Sequence, residues 1–150
     1  MKIWWCNQGR QWNVERRASV VCSSEDADNL TFRKTVEEIE PGDIILHYVT
    51  QNVVAVSLAK SHGVHYTRLP LLGDQDYKAG WRAEVEYFVF YPVIPKEKFA
   101  NSLVELRENA GIGFPIDKNG DICQGYLYRF NQEGLTVVKE SFETVWPAWA

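Results

Sequence analysis

The sequence predicts an α+β domain in which six or seven short strands form a curved mixed β-barrel or sheet, flanked by two or three helices. Short apolar runs recur along the 150 residues and are bounded by Gly, Pro, Asn and Asp, which is typical of strands and turns. Most consecutive runs are separated by short polar turns, as in hairpins. The helical segments occur at intervals instead of alternating regularly with strands, which disfavours a doubly wound α/β fold.

The individual elements follow from these patterns in chain order. Predicted strands occupy residues 2–6, 18–22, 44–49, 53–60, 81–91, 126–130 and 135–138. Predicted helices occupy residues 31–39 and 96–109, and residues 11–17 form a short helix or an irregular turn. The clearest pair is the hairpin of 44–49 with 53–60, because two apolar runs flank the polar tip Thr50-Gln51-Asn52.

The ends of the elements are predicted from spacing, prolines and glycines. The first long helix has apolar residues at i, i+4 and i+7, namely Phe32, Val36 and Ile39, with Thr31 as a candidate cap. Pro92 and Pro95 are expected to end the strand that begins at Trp81. Residues 61–80 and the glycine-rich residues 111–125 are predicted loops, and long loops in compact domains are often functional.

The length predicts one domain, which we place at residues 1–140, followed by a tail at 141–150. The tail carries Trp146 and Trp149 on either side of a proline. It is expected either to dock on the domain or to begin a linker.

Composition excludes several classes of protein. The net charge is −4, whereas a protein that coats nucleic acid non-specifically is normally basic. No apolar run approaches the ~18 residues that would span a membrane. The three cysteines, Cys6, Cys22 and Cys123, are odd in number and far apart, which argues against a disulfide framework or a zinc site and favours a reducing cytoplasm.

The sequence offers little catalytic machinery. It contains no glycine-rich phosphate loop and no G-x-S-x-G nucleophile elbow. One nucleophile–base combination, Cys22 with His47, is left to consider. No local signature supports this pair, and buried structural cysteines are commoner than catalytic ones. We therefore expect a binding protein without a cofactor or a metal.

The stretch from Ile3 to Trp12 concentrates groups that suit binding of a planar ligand. It holds three of the six tryptophans, and a strand there ends in the two amides Asn7 and Gln8. Indoles supply flat faces and amides read hydrogen-bonding edges. Trp4 and Trp5 are equally well interpreted as core residues of the strand. The nearby Arg10, Arg16 and Arg17 are either phosphate contacts or a solvated helix face.

Several motifs in a fixed order resemble those of a known family. They are Trp4-Trp5-Cys6-Asn7-Gln8 with Trp12 and Glu15-Arg16; Pro41-Gly42-Asp43-Ile44-Ile45 with His47-Tyr48; Val54-Ala55-Val56; Gly80-Trp81-Arg82-Ala83-Glu84-Val85-Glu86-Tyr87-Phe88; and Gln124-Gly125-Tyr126-Leu127. In this order they resemble the EVE-like family, relatives of the YTH and ASCH domains in the PUA-like superfamily. The resemblance extends from residue 3 to about residue 128.

The resemblance implies a PUA-like curved mixed β-barrel with a pocket for one extruded, modified base. EVE-like domains occur in modification-dependent restriction systems, so it implies a noncatalytic reader of modified DNA with a fused or associated nuclease. A reader of N6-methyladenine or another modified base in RNA, as in YTH relatives, is the first alternative. The second is an ASCH-like enzyme acting on a modified nucleoside, although the Lys–Glu pair that such activity uses is not evident.

The resemblance also assigns candidate roles by position. Asn7 and Gln8 would read the base edge, and Trp12 would form a wall or rim. Cys22 stands where relatives commonly carry a cage tryptophan, and Ser23 is a small polar residue that would hydrogen-bond the ligand. The remaining aromatic walls would come from Tyr48, Tyr66, Tyr77 or Trp81, and Arg10, Arg16 and Arg17 would bind phosphate.

Overall fold

A computed structural model describes residues 1–25, 29–68, 79–109 and 113–150. In this part of the chain a seven-stranded mixed sheet curls into a half-barrel accompanied by four α-helices. The strands are β1 (Ile3–Asn7), β2 (Val20–Ser24), β3 (Ile44–Val49), β4 (Asn52–Ala59), β5 (Val64–Tyr66), β6 (Gly80–Pro95) and β7 (Leu127–Phe130). The helices are α1 (Trp12–Ala18), α2 (Leu30–Lys34), α3 (Ala100–Leu106) and α4 (Gln132–Ser141). The predicted α+β, PUA-like class is confirmed.

The strand order is β2-β6-β4-β3-β1-β7, and β5 pairs with β6 off this path. β1 pairs parallel with β3 and antiparallel with β7. The carboxyl ends of β1 and β3 therefore lie side by side, with Asn7 opposite Tyr48. The amino end of β7 lies at the same edge, because Cys6 is opposite Leu127.

The core occupies both faces of the sheet. Successive strand residues point to opposite faces, so Trp4 and Trp5 belong to different apolar clusters. Trp5 packs with Phe90, Phe99 and the helices α3 and α4, whereas Trp4 packs with residues such as Val36. Both indoles are fully buried, which makes them core residues of the strand.

The predicted strand at 135–138 is wrong, because these residues lie in α4. Asn131 caps this helix: its side-chain oxygen accepts a hydrogen bond from the Gly134 N–H at 2.7 Å. Leu135 and Val138, three residues apart, then face the core. Gly134 is also required by packing, since a Cβ there would lie 2.4 Å from the Phe130 ring. With α4 included, the described part of the chain has four α-helices, whereas the sequence predicted two or three.

Other boundaries differ for local reasons. Strand β2 starts two residues later than predicted, because Ser19 ends α1 in the left-handed conformation at φ 56°. Thr31 does not cap α2, whose N-cap residue is Asn29, and a 3₁₀ turn at Thr35–Glu38 follows that helix. The helix predicted at 96–109 is α3 flanked by 3₁₀ turns at Lys96–Lys98 and Arg107–Asn109.

Of the two prolines expected to end β6, Pro92 does not end it and Pro95 does. The strand continues to Pro95, and its pairing with β4 shifts register between Val53 and Ala55. Pro92 falls in the irregular part of that pairing, where the absent N–H removes no regular ladder hydrogen bond. In the predicted 61–80 loop, β5 is an additional short strand, and residues 69–78 lie outside the described part.

The C-terminal tail packs on the sheet. Trp146 and Trp149 contact the larger apolar cluster, and the Trp146 ring lies 4.6 Å from that of Phe90. Lys139 lies 5.5 Å from the Trp146 ring centroid and donates to the Ala150 carbonyl. These contacts hold the two tryptophans of the tail against the domain. Among the described residues, no helix is long and apolar enough to cross a membrane.

Candidate functional site

A cavity of about 540 Å³ opens where β1 and β3 end and β7 begins. Its walls come from segments distant in sequence: residues 7–9 after β1, the β3–β4 turn with Tyr48 and Gln51, Arg33 of α2, Lys96, and residues 121–126 before β7. Polar amides, two tyrosines and two cations thus surround one volume. Three of the predicted site residues, Asn7, Gln8 and Tyr48, line it.

Asn7 joins the end of β1 to the loop that precedes β7. Its side-chain nitrogen donates to the carbonyls of Cys123 (2.9 Å) and Gly125 (2.8 Å). Its side-chain oxygen accepts from the Trp5 indole N–H at 2.8 Å. Both amide hydrogens are therefore engaged, and Asn7 shapes the cavity wall in addition to lining it.

Gln8 is buried and belongs to a hydrogen-bonded group that we name the His47 cluster, consisting of Gln8, His47, Ser57 and Tyr87. His47 bonds Gln8 Oε1 through Nδ1 and Ser57 Oγ through Nε2, each at 2.7 Å. The Gln8 amide nitrogen donates to the Tyr87 hydroxyl at 3.1 Å. Burial lowers the pKa of His47 to about 3, so the ring is neutral at physiological pH.

The partners of the His47 cluster determine its proton positions. The Tyr87 hydroxyl donates to the Val20 carbonyl at 2.7 Å, so it can only accept from Gln8. The Gln8 oxygen must then accept from His47 Nδ1, and His47 Nε2 accepts from Ser57. Each polar side-chain atom in this chain of bonds has a partner.

A second buried group, the Glu15 cluster, consists of Glu15, Cys22 and Tyr126. Glu15 Oε1 accepts from the Cys22 N–H (2.9 Å) and, in a short hydrogen bond, from the Tyr126 hydroxyl. Glu15 Oε2 is buried without a hydrogen-bond partner among the described residues. Burial raises the pKa of Glu15 to about 7, against the hydrogen bonds from Tyr126 and Cys22, which lower it. Tyr126 also lines the cavity, so this cluster lies directly behind its wall.

Aromatic rings surround the same strand end. The Trp12 ring meets Tyr87 edge-on at 5.5 Å and lies 6.1 Å from His47. Tyr48 packs on Trp5, with ring centroids 5.4 Å apart. Tyr48 is thus the predicted aromatic residue that lines the cavity, whereas Trp12 packs on the His47 cluster beside it.

Three predicted pocket residues lie inside the protein, outside the lining of this cavity. Cys22 is buried, and burial raises its pKa to about 12. The two ring nitrogens of His47 bond Gln8 and Ser57 instead of the Cys22 thiol. Ser23 donates to the Arg33 carbonyl at 2.7 Å. Trp81 is 5% exposed and donates to Glu37 at 3.2 Å.

Two further tyrosines were named as possible walls. Tyr66 packs beside Val20 and Cys22, and Tyr77 lies outside the described residues.

The predicted phosphate contacts Arg10, Arg16 and Arg17 are not among the residues that line the cavity. Arg10 and Arg17 are exposed, and the Arg16 guanidinium lies 5.8 Å from the Trp12 ring centroid. The cations that line the cavity are instead Arg33 and Lys96. Lys96 forms an ion pair of 3.7 Å with Asp121.

Sequence reasoning did not select Glu15, Tyr126, Arg33 or Lys96 as site residues. Glu15 and Tyr126 do stand within the quoted motifs, so a signal existed, but nothing in the sequence distinguishes Glu15 from an exposed helix residue. Arg33 and Lys96 carry no local signal, because only the fold brings α2 and the end of β6 to the end of β1. Within the described ranges, no group of three or more His, Cys, Asp or Glu could hold a metal ion.

Neither a protein-family model nor a curated protein sequence matches this chain. Solved structures do match. Human THYN1 in complex with 5-methylcytosine-containing DNA is 11% identical, with a TM-score of 0.61 over 95% of this chain and 99% of that one. A Pseudomonas putida protein is 12% identical, with a TM-score of 0.60 over 93% and 98% of the two chains.

The Pho92 YTH domain in complex with m6A is a third similar structure. It is 11% identical, with a TM-score of 0.58 over 93% of this chain and 85% of that one. At such low identity these likenesses establish the fold. The chain therefore has the fold of THYN1 and the YTH domain, which is the α+β, PUA-like fold expected from the sequence.

Proposed function

We propose that this chain is a noncatalytic reader that holds one modified base of a nucleic acid, with DNA as the favoured ligand, in the cavity at the end of β1. The observation that carries the proposal is the cavity itself. Its volume of about 540 Å³ falls within the ~300–1,000 Å³ usual for small-molecule sites. Its wall combines amides for a base edge with an aromatic ring and two cations.

Similar structures support this use of the fold. THYN1 was solved with DNA containing 5-methylcytosine, and the YTH domain with m6A. The DNA complex favours DNA as the ligand, and the YTH complex favours RNA as the second candidate. From the resemblance of its sequence motifs to EVE-like domains, we also propose that the chain serves as the specificity module of a modification-dependent restriction system, acting with a nuclease.

The energetics suit a protein of net charge −4. Extruding a base costs a few kcal/mol, and stacking on an aromatic ring such as Tyr48 returns roughly 1–3 kcal/mol. A buried methyl group adds ~0.8 kcal/mol. Arg33 and Lys96 at the cavity, together with the exposed Arg10 and Arg17, would supply a few phosphate contacts without a basic protein overall.

Catalysis has less support than binding. The carboxylate that lines the cavity in the described part of the chain is Asp121, which is exposed and paired with Lys96. Glu15 lies behind the wall. Turnover of methylated or acylated nucleosides by the purified protein would establish the ASCH-like alternative.

The test is a binding panel measured by fluorescence anisotropy. DNA duplexes and matched RNA strands would carry one methylated, hydroxymethylated or glucosylated base, each beside its unmodified counterpart. We expect at least one modified base to bind ten times more tightly than its counterpart, a difference of about 1.4 kcal/mol. Equal affinity across the panel would exclude the proposal.

A matched pair of variants locates the binding. Tyr48→Ser removes the cavity ring, and Tyr91→Ser removes a tyrosine that is 83% exposed and outside the cavity. We expect Tyr48→Ser to weaken binding roughly five- to 100-fold, from the loss of stacking, and Tyr91→Ser to leave it unchanged. Equal effects of the two substitutions would place the ligand elsewhere.

A further inference from the structure

Left-handed backbone is concentrated among the residues that line the cavity. In the described part of the chain, four residues other than glycine have a positive φ, namely Ser19, Asn29, Thr50 and Gln51. The last three line the cavity at the end of β1, whereas Ser19 ends α1 and does not line it. L-residues adopt this conformation at a steric cost, and such positions cluster at ligand clamps and active sites. The coincidence at this cavity therefore points to a function.

The cost is highest in the turn between β3 and β4. Val49 pairs with Asn52, so Thr50 and Gln51 form the whole turn, with φ of 42° and 69°. A two-residue hairpin turn with two positive φ values is of type I′, in which Asn-Gly and Gly-Gly are favoured pairs. Threonine is β-branched and is poorly suited to this conformation. The turn thus carries two side chains where glycine would fit with less strain.

Neighbouring groups hold this turn in its conformation. The Asn52 side-chain nitrogen donates to the Thr50 carbonyl, and the Lys96 N–H donates to the Gln51 carbonyl, each at 2.9 Å. The second of these bonds ties the tip of the hairpin to the end of β6. The backbone from which the Thr50 and Gln51 side chains project is consequently fixed next to Lys96, which lines the same cavity.

The side chains of the three left-handed lining residues are available to a ligand. Asn29, Thr50 and Gln51 are exposed, and their side chains form no hydrogen bond with another residue of the described ranges. The half-buried Asn7 differs from them, because its side-chain nitrogen already donates to two carbonyls of the loop before β7. Exposed amide and hydroxyl groups commonly bind the phosphate and sugar oxygens of nucleic acids.

We propose that Asn29, Thr50 and Gln51 form a clamp that binds phosphate and sugar oxygens of the nucleotide whose base enters the cavity. The inference rests on the proposed function and assigns the part of that ligand outside the base. The clamp adds uncharged hydrogen bonds to the ion pairs that Arg33 and Lys96 can form with phosphate. Contacts to the sugar–phosphate backbone do not depend on base identity. Discrimination of the modified base is thus left to the other walls of the cavity.

The test removes the side chains of the turn and keeps its backbone conformation. In the double variant Thr50→Gly/Gln51→Gly, both positions remain compatible with a positive φ. Fluorescence anisotropy measures binding to a DNA duplex with one 5-methylcytosine, to one with N6-methyladenine and to the unmodified duplex. We expect all three affinities to fall by the same factor, roughly five- to 100-fold, from the loss of two neutral hydrogen bonds. The affinity ratio of each modified duplex to the unmodified one should not change.

Two single variants accompany the double variant. Ser19→Gly makes the same kind of change at the left-handed residue outside the cavity lining, and it should leave every affinity unchanged. Asn29→Gly removes the clamp side chain at the start of α2, which makes no capping hydrogen bond there. It should weaken binding roughly two- to tenfold, so the clamp can be measured even if the double variant does not fold. Because the clamp is uncharged, the slope of affinity against salt concentration should stay that of the wild type.

The outcomes separate the clamp from the proposed function. Unchanged affinity in both clamp variants overturns the inference, and so does an equal loss in Ser19→Gly. A loss confined to the modified duplexes also overturns it, because the side chains would then contact the base. The proposed function is measured by the wild-type affinity ratio of modified to unmodified duplex. A ratio of one contradicts the reader function, while the clamp is still tested on the unmodified duplex.

Discussion

The His47 cluster and the Glu15 cluster flank the same strand end and differ in completeness. In the His47 cluster each side-chain donor meets an acceptor, and the buried ring is neutral. In the Glu15 cluster one carboxyl oxygen is buried without a partner among the described residues. A fully bonded network holds its members in one arrangement, whereas an incomplete one can still respond to a proton or a ligand.

The difference assigns different tasks to the two clusters. The His47 cluster holds Gln8 at a fixed position in the cavity wall. The Glu15 cluster contains a carboxyl group whose pKa burial raises to about 7. Breaking the first should therefore affect mainly the free energy of unfolding, and changing the second should affect mainly the pH dependence of stability.

The largest loss of free energy of unfolding is expected from the substitution His47→Leu. The substitution leaves the buried Gln8 oxygen and Ser57 hydroxyl without partners, at ~1–3 kcal/mol each, for a total loss of about 3 kcal/mol. Urea unfolding measures it. His65→Leu is the control, because His65 is exposed and bonds Glu25 at the surface, and it should cost less than about 0.5 kcal/mol. A loss below about 1 kcal/mol for His47→Leu would contradict a structural role.

The pH dependence of stability should have opposite signs in the two clusters. Because the pKa of Glu15 is raised to about 7 from 4.5, the unfolded chain ionises first, and stability falls as pH rises through that window. Because the pKa of His47 is lowered to about 3 from 6.5, the unfolded chain takes up the proton first, and stability falls as pH drops below about 6.5.

The substitution Glu15→Gln isolates the contribution of Glu15 to the pH dependence of stability. The free energy of unfolding of the variant relative to the wild type should rise by roughly 2–3 kcal/mol between about pH 4.5 and pH 8. Urea unfolding at several pH values measures this difference. A difference that does not change with pH would mean that Glu15 ionises normally in the folded protein.

The smallest expected effect is the difference in the free energy of unfolding between Tyr87→Phe and Tyr126→Phe. Tyr87→Phe leaves the Gln8 amide and the Val20 carbonyl each without a bond, and should cost about 2 kcal/mol. Tyr126→Phe should cost about 1 kcal/mol, because Glu15 Oε1 still accepts from Cys22. If Tyr126→Phe proved the more destabilising, the Glu15 cluster would be the structural one of the two.

Much of the fold could be predicted from the sequence, namely where a run of apolar strand residues ends in a polar turn. The β3 strand, Ile44–Val49, has the predicted boundaries, because apolar residues stop abruptly on both sides. Residues 135–138 are helical although predicted as a strand, because a short run of leucine, threonine and valine fits a strand or a buried helix turn equally well. The distinguishing signal was Asn131, a helix cap that also resembles a turn residue.

The site was predicted less completely, for reasons of geometry. Asn7, Gln8 and Tyr48 reach the cavity because they end two adjacent parallel strands. Ser23 and Trp81 face each other across the β2–β6 pair and are buried there, since most of β2 is buried on both faces and alternation cannot show which side faces a ligand. Arg33 and Lys96 enter the wall only through tertiary contacts.

The position of β1 between a parallel and an antiparallel neighbour links ligand binding to cooperative unfolding. Residues 7, 48 and 124–126 share one cavity because β1, β3 and β7 are paired. A chain in which one of these strands has separated no longer has the site, so a ligand binds the native state alone. A ligand at 100 times its Kd then adds ~2.7 kcal/mol to the free energy of unfolding. The melting temperature can therefore rank modified nucleosides before any oligonucleotide is made.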